Sequence, residues 1–195
     1  MFIKIAILGG SFDPPHLGHL ILADTIQHEL KCDKILFIPS KIPPHKNISG
    51  KVSDDDRINM LKLSIEDNDN FILDDYEIKN DCVSYTIKTL EYIYNNYKFE
   101  DKPILIIGAD LVKDFDKWRE PEKISNLSNI VVLNRDDNKN LISDNIEKYN
   151  IKTIIAPRID ISSSLIRERI KNNGAFRYFL KDKVYNYIKE NNLYL

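Results

Sequence analysis

The sequence predicts an α/β protein built on an open, mostly parallel sheet with helices on both faces. Three observations carry that expectation. Short β-branched runs alternate with stretches of helical period, the pattern of βαβ units. Pro103–Gly108 (PILIIG) is almost wholly apolar, as a strand buried on both faces requires. The first strand-like run ends on a glycine pair followed by a polar turn bearing two histidines. In open parallel sheets, ligands bind beyond such strand ends.

The elements follow in order. Phe2–Leu8 reads as a strand that Gly9-Gly10 ends. Leu22, Ile26 and Leu30 keep helical spacing, so a helix begins near Gly18-His19. Lys34–Pro39 is a second strand. Ser53 is placed to cap a helix, with Asp56 three residues on and Ile58, Leu61 and Ile65 as its buried stripe. Phe71–Ile78 is a third strand region. Ser84 is placed to cap the next helix, where Ile87, Leu90, Tyr94 and Tyr97 hold the period. After Pro103–Gly108, the runs Asn129–Asn134 and Lys152–Pro157 are further strands, and Ser162–Lys171 and Lys181–Glu190 are closing helices. Lys41–Val52 and Arg135–Asn140 are rich in Lys, Asn, Asp, Pro and Gly and read as exposed loops. There is no internal repeat and no linker, so 1–195 reads as one domain of Rossmann-like organisation.

Composition narrows the partners. Hydrophobic residues are 43% of the 195, enough for a core without disulfides or structural metal. Lys plus Arg is 28 against 30 for Asp plus Glu, so no global basic charge points to nucleic acid or an anionic membrane. Phosphate-binding groups must therefore be local. Cys32 and Cys82 have no metal-type spacing and suit a reducing compartment. No apolar stretch approaches the ~20 residues of a membrane span, and the first run lacks the features of a signal peptide. The expected location is the cytoplasm.

Four segments follow predicted strands, and the unusual residue clusters lie in them. The first is Gly9–His19 (GGSFDPPHLGH). Glycines let backbone approach a ligand closely, and His16 and His19 sit at an expected helix N-terminus, which favours anions. The bland reading is a turn with surface histidines; a zinc pair lacks completing ligands. A Walker lysine motif and a full G-x-G-x-x-G are both absent. The second is Ile42–Lys46 (IPPHK), where two prolines stiffen a loop carrying His45 and Lys46; taken alone it is an exposed basic loop. The third is Gly108-Ala109-Asp110 with Phe115 and Trp118-Arg119. Its carboxylate is placed to accept from sugar hydroxyls. Trp118 can stack on a flat ring or anchor a helix in the core; taken alone, the core reading is favoured. The fourth is Ile161–Arg167 (ISSSLIR). Its serines open a helix and suit either a plain cap or a phosphate, and Arg167 adds a charged fork.

Together these residues resemble the H-x-G-H nucleotidyltransferase superfamily, and within it the bacterial nicotinate-nucleotide adenylyltransferases. Gly9–His19 matches that family's GG-S-F-D-P-x-H-x-G-H opening, and Pro43–Lys46 its P-P-H-K loop. Ser84–Leu90 (SYTIKTL) matches Y-T-x-x-T-L, and Gly108–Trp118 matches the G-x-D…F…W block. Ile161–Arg167 matches I-S-S-T-x-I-R, with Ser164 where Thr is usual. The matches run in family order from Gly9 to Arg167.

The resemblance implies adenylyl transfer from ATP to nicotinate mononucleotide, giving deamido-NAD and pyrophosphate. It implies that Gly9, Gly10, Ser11 and Phe12 form the floor of an ATP site that also includes His16, His19, Gly108, Asp110, Ile161, Ser163, Ser164 and Arg167. His16, His19 and Arg167 would carry the catalysis. Lys46, Tyr85, Thr86, Trp118 and Arg119 would bind nicotinate mononucleotide, with Trp118 stacked on the pyridine ring. Mg²⁺ would arrive with ATP, held mainly by phosphates and water, with no protein metal ligand. ATP and nicotinate mononucleotide are the expected partners, with no nucleic acid and no membrane; a homo-oligomer is compatible with the sequence. The competing readings are an H-x-G-H adenylyltransferase with nicotinamide mononucleotide or pantetheine phosphate as acceptor, and a nucleotide sensor without catalysis.

Overall fold

The structure, a computed structural model, describes residues 3–41, 52–80, 83–134 and 143–195. Its centre is a six-stranded sheet of β1 (Ile5–Gly10), β2 (Lys34–Pro39), β3 (Phe71–Leu73), β4 (Ile104–Gly108), β5 (Asn129–Asn134) and β6 (Lys152–Ile155). The spatial order is β3-β2-β1-β4-β5-β6, and every pairing in it is parallel. Strand order therefore reverses between β1 and β4, the topological switch point of a doubly wound sheet.

The expected α/β class holds, and the sheet is wholly parallel where the sequence suggested mostly so. The helices are α1 (Leu17–Leu30), α2 (Asp54–Ile65), α3 (Tyr76–Lys79), α4 (Thr86–Asn96), α5 (Pro121–Leu127), α6 (Asp144–Lys148), α7 (Ser163–Lys171) and α8 (Asp182–Glu190), with a 3-10 helix at Ala109–Lys117. Alternating strand residues feed two cores. Ile5, Ile7, Leu36, Ile38, Leu105 and Ile107 face Ile87, Leu90 and Ile93 of α4 and Phe115 of the 3-10 helix. Ala6, Leu8, Ile35, Phe37, Ile104 and Ile106 face Ala23 and Ile26 of α1 and Leu61 and Ile65 of α2. A third cluster joins Met60 of α2 to Ile166 and Ile170 of α7 and to Val184 and Ile188 of α8.

Register decides where the sheet opens. β1 pairs with β4 only as far as Leu8↔Ile106. Beyond that rung β1 continues with β2 to Gly10↔Pro39, while β4 continues with β5 to Gly108↔Leu133. The two central strands thus part over their last two residues, leaving a crevice floored by backbone.

Several boundaries differ from the sequence reading. The first strand is Ile5–Gly10, not Phe2–Leu8: the glycine pair continues it, because Gly9 and Gly10 keep parallel pairing with β2. Phe71–Ile78 is not one strand, since β3 stops at Leu73. There Asp74 turns the chain by accepting the Tyr76 N–H on Oδ1 at 3.0 Å, and α3 follows. Ser84 does not cap α4; Tyr85 holds the cap position, and the Ser84 hydroxyl instead accepts the Lys41 N–H at 3.0 Å. Tyr94 does not join the buried stripe. Ile93 takes that place, and the Tyr94 phenol reaches out to the Leu127 carbonyl at 2.9 Å. Tyr97 lies past the helix end, where its hydroxyl donates to Asp74 at 2.6 Å. Lys152–Pro157 shortens to Lys152–Ile155. The capping role of Ser53 holds: its Oγ accepts the Asp56 N–H at 3.1 Å. Of the two expected loops, residues 42–51 of the first and all of 135–140 lie outside the described residues.

Ile106 is buried at the last β1–β4 rung. Ile106→Ala is expected to cost about 2–5 kcal/mol, the range for truncating a packed aliphatic side chain. Urea unfolding checks this, and a change below about 0.5 kcal/mol, the size of an ordinary surface effect, would show that the rung is not packed as described.

Candidate active site

The crevice is the floor of a cleft of about 1200 Å³. At one end lie Gly9, Gly10, Ser11, His16 and His19 from the turn after β1, with Ile161, Ser163, Ser164 and Arg167 around the start of α7. At the other lie Gly108, Asp110, Trp118 and Arg119 after β4, with Tyr85 and Thr86 at the start of α4. The structure therefore brings to one cleft all the candidates expected from sequence except two. Phe12 stands behind the floor as a fully buried support. Lys46 lies outside the described residues.

The turn after β1 is tightly specified. Phe12 adopts a left-handed φ of 46°, which costs a non-glycine residue on the order of 1–3 kcal/mol. Its ring packs against Phe37, with centroids 5.8 Å apart, and edge-on against His19 at 4.9 Å. The Asp13–Pro14 peptide is cis. His16 then stands in extended conformation at the N-cap of α1. Its backbone N–H donates to Nδ1 of His19 at 3.2 Å, and the two rings stack 3.7 Å apart. An Nδ1 that accepts leaves the neutral His19 ring with its proton on Nε2, as a donor. Gly18 makes the stack possible: a Cβ there would lie 2.9 Å from His16 Nδ1.

Side chains from distant segments hold this turn by its carbonyls. Arg57, 1% exposed, donates from Nη1 to the Ser11 and Ser40 carbonyls, each at 2.8 Å, and from Nη2 to Asp54 Oδ1 at 2.5 Å. Asp54 also takes Lys41 Nζ at 2.6 Å. Burial pushes the Asp54 carboxyl up, but the hydrogen bonds from Arg57 and Lys41 outweigh it and hold its pKa below the ordinary value. Arg167 Nη1 donates to the Asp13 carbonyl at 2.6 Å and its Nη2 to Ser164 Oγ at 3.2 Å. Ser163 Oγ donates to the Pro14 carbonyl at 2.8 Å, while Ser162 caps α7 by accepting the Leu165 N–H at 3.1 Å. The serine run thus divides its work: one hydroxyl caps, one grips the turn, and one meets the arginine.

At the other end, Asp110 folds back over the end of β4. A Cβ on Gly108 would lie 2.5 Å from its Oδ1, so a larger residue there would push that carboxylate aside. The core reading of Trp118 holds, since its ring packs on Phe115 with centroids 5.1 Å apart, and the residue also lines the cleft. The Arg119 guanidinium lies 4.8 Å over the Tyr85 ring, which ties the two segments at this end by a cation–π contact. Glu77 is a cleft residue the sequence reading missed. Its carboxyl accepts from Thr89 Oγ1 at 2.5 Å, and burial raises its pKa, opposed by hydrogen bonds from Thr89 and Ser84. Arg57 was missed as well, because the carbonyls it holds, Ser11 and Ser40, are 46 and 17 residues away.

A backbone-floored cleft at a switch point, with imidazoles and a guanidinium at helix starts, defines an α/β nucleotide-binding protein. A family model described as cytidylyltransferase-like matches residues 7–169. A protein of Caldicellulosiruptor saccharolyticus named "probable nicotinate-nucleotide adenylyltransferase" is 41% identical, covering 98% of this chain and 99% of its own. A Borrelia hermsii protein of the same name is 44% identical, covering 99% and 98%. Among solved structures, Plasmodium falciparum nicotinic acid mononucleotide adenylyltransferase shares the fold, with TM-score 0.75 and 23% identity over 98% of this chain and 97% of that one. The chain belongs to the cytidylyltransferase-like family and, within it, to the nicotinate-nucleotide adenylyltransferases.

Gly18→Ala tests the histidine stack. The added methyl meets a side-chain ring and not backbone, so thermal unfolding is expected to shift little while nucleotide turnover falls at least about tenfold, the effect of about 1.4 kcal/mol on a barrier. Unchanged turnover would show that His16 can move aside without consequence.

Proposed function

We propose that this protein transfers the adenylyl group of ATP to nicotinate mononucleotide, releasing deamido-NAD and pyrophosphate. The observation that carries the reading is the single cleft across the β1–β4 parting, with donors suited to a triphosphate at one end and an aromatic wall at the other. The family relationship supports the same reaction, and a Plasmodium falciparum enzyme of this fold is known complexed with NaAD.

In the proposed reaction a phosphate oxygen of the mononucleotide attacks the α-phosphorus of ATP. The bond to the bridging oxygen breaks, and pyrophosphate leaves with that electron pair. The nucleophile is already an anion, so no general base is required. What the protein supplies is alignment and stabilisation of charge. His19, presenting Nε2–H, donates to the reacting phosphate together with His16. Arg167 and the start of α7 hold the departing phosphates. Gly108 and Asp110 take the adenosine ribose, and Trp118 stacks on the pyridine ring beside Tyr85, Thr86 and Arg119. Lys46 belongs to the same proposal as a phosphate ligand of the acceptor.

Mg²⁺ would neutralise phosphate charge, held by phosphate oxygens and water. The Asp13 carboxylate near the phosphate end is turned to Tyr194, whose hydroxyl it accepts at 2.6 Å.

Pyrophosphate release with ATP and each acceptor tests the proposal. Donors near the start of α4 and around Trp118-Arg119 suit a carboxylate and leave the NH₂ of an amide facing other donors, a mismatch of about 1–3 kcal/mol per buried group. Nicotinate mononucleotide is expected to exceed nicotinamide mononucleotide by at least about tenfold in kcat/KM. Equal efficiency would contradict the selectivity, and turnover with neither would contradict the reaction. His19→Ala is expected to lower kcat by about 10²–10³ in folded protein; near wild-type turnover would remove His19 from the phosphate site. Trp118→Ala is expected to raise the KM of both acceptors and to spare ATP, because stacking does not sense the substituent. An unchanged acceptor KM would leave Trp118 a core residue only.

A further inference from the structure

Tyr194 lies 181 residues from Asp13 in sequence, yet its hydroxyl donates to Asp13 Oδ1 at 2.6 Å. The tyrosine follows α8 in a left-handed conformation, φ 67°, and its ring packs with Leu193 against the cluster of α2, α7 and α8. Asp13 is 4% exposed. Its carbonyl is the acceptor for Arg167 Nη1, and its Oδ2 lies 3.9 Å from the same nitrogen. One buried residue thus joins the tyrosine to the guanidinium that faces the phosphate end of the cleft.

We propose that Tyr194 is a positioning residue for the triphosphate site, fixing Asp13 so that Arg167 and the turn leading to His16 stand in binding geometry. Three features make the hydroxyl suited to this. Burial and the neighbouring Asp13 carboxylate raise its pKa, so it remains a donor at neutral pH. The contact is charge-assisted, and such bonds to ionised groups are stronger than those between neutral groups. It also closes a set of grips on three residues of the turn: Arg57 holds the Ser11 carbonyl, Arg167 that of Asp13 and Ser163 that of Pro14. Those three hold backbone, and among the described residues Tyr194 is the one that hydrogen-bonds the Asp13 side chain from outside the cleft. Without it the Asp13 side chain is free to turn, and the carbonyl that seats Arg167 turns with it.

The inference rests on the phosphate end of the proposed reaction but not on the identity of the acceptor. The test is Tyr194→Phe, which deletes the hydroxyl and keeps the packed ring. Titration of the full chain with Mg·ATP, in the absence of acceptor, is expected to show about tenfold weaker binding, matching about 1.4 kcal/mol. The KM for nicotinate mononucleotide is expected to stay within about twofold, a change of about 0.4 kcal/mol. In an Asp13→Ala background the same change is expected to add nothing further to the loss of ATP affinity. Unchanged ATP affinity, an equal loss for both substrates, or full additivity with Asp13→Ala would each overturn the proposal. Should Tyr194→Phe not fold, Asp13→Asn keeps an acceptor oxygen for the tyrosine and is expected to bind ATP more tightly than Asp13→Ala; equal weakening would overturn it. Failure of the wild type to use nicotinate mononucleotide bears only on the acceptor, since the ATP titration stands without it.

Discussion

The parting of β1 from β4 after the Leu8↔Ile106 rung is the constraint on which the rest depends. Each strand keeps its outer neighbour, β2 or β5, so neither frays. What opens is only the seam between the two halves of the sheet. Crossovers from that seam run to opposite faces, which leaves the strand ends uncovered. Three glycines, Gly9, Gly10 and Gly108, stand at that seam. Every other feature of the cleft is a wall raised around that floor.

The walls are held unequally. At the phosphate end the turn carries a strained Phe12, and its conformation persists because buried groups over-determine it. Arg57 is the deepest of these. Its guanidinium satisfies carbonyls at the ends of both β1 and β2 and is paired with Asp54, so a costly buried charge becomes a cross-brace. The brace is sensitive to acid through Asp54. A carboxyl whose folded pKa is depressed contributes stability above its ordinary pKa and loses it as pH falls through the folded value. At the acceptor end the links are softer: a cation–π contact, an aromatic pair and the Ser84–Lys41 bond. In the proposed reaction the more tightly braced end is the one that takes the triphosphate.

How much of this was legible in the sequence follows from the range of each interaction. PILIIG announces a central strand because both its faces are buried, and Ser53-x-x-Asp56 announces a cap because its partners lie within one turn. The histidine turn and the serine run were legible as clusters because parallel topology gathers strand ends at one edge. The short elements were not. Phe71–Ile78 reads as a strand by composition, but Asp74 diverts the chain through a side-chain bond that no periodicity signals. Arg57 and Tyr194 escaped for a related reason. Their partners, Ser11 and Asp13, are 46 and 181 residues away, and nothing local distinguishes a buried arginine from a solvated one.

The central claim is that one cleft, split along the β1–β4 seam, holds both halves of a dinucleotide. A crystal structure with deamido-NAD bound tests it most directly. The account predicts the adenosine ribose over Gly108 and Asp110, the pyrophosphate bridge across the strand ends beside His16 and His19, and the nicotinate ring against Trp118 near the start of α4. A ligand lying to one side of the seam, or a nicotinate ring away from Trp118, would contradict it.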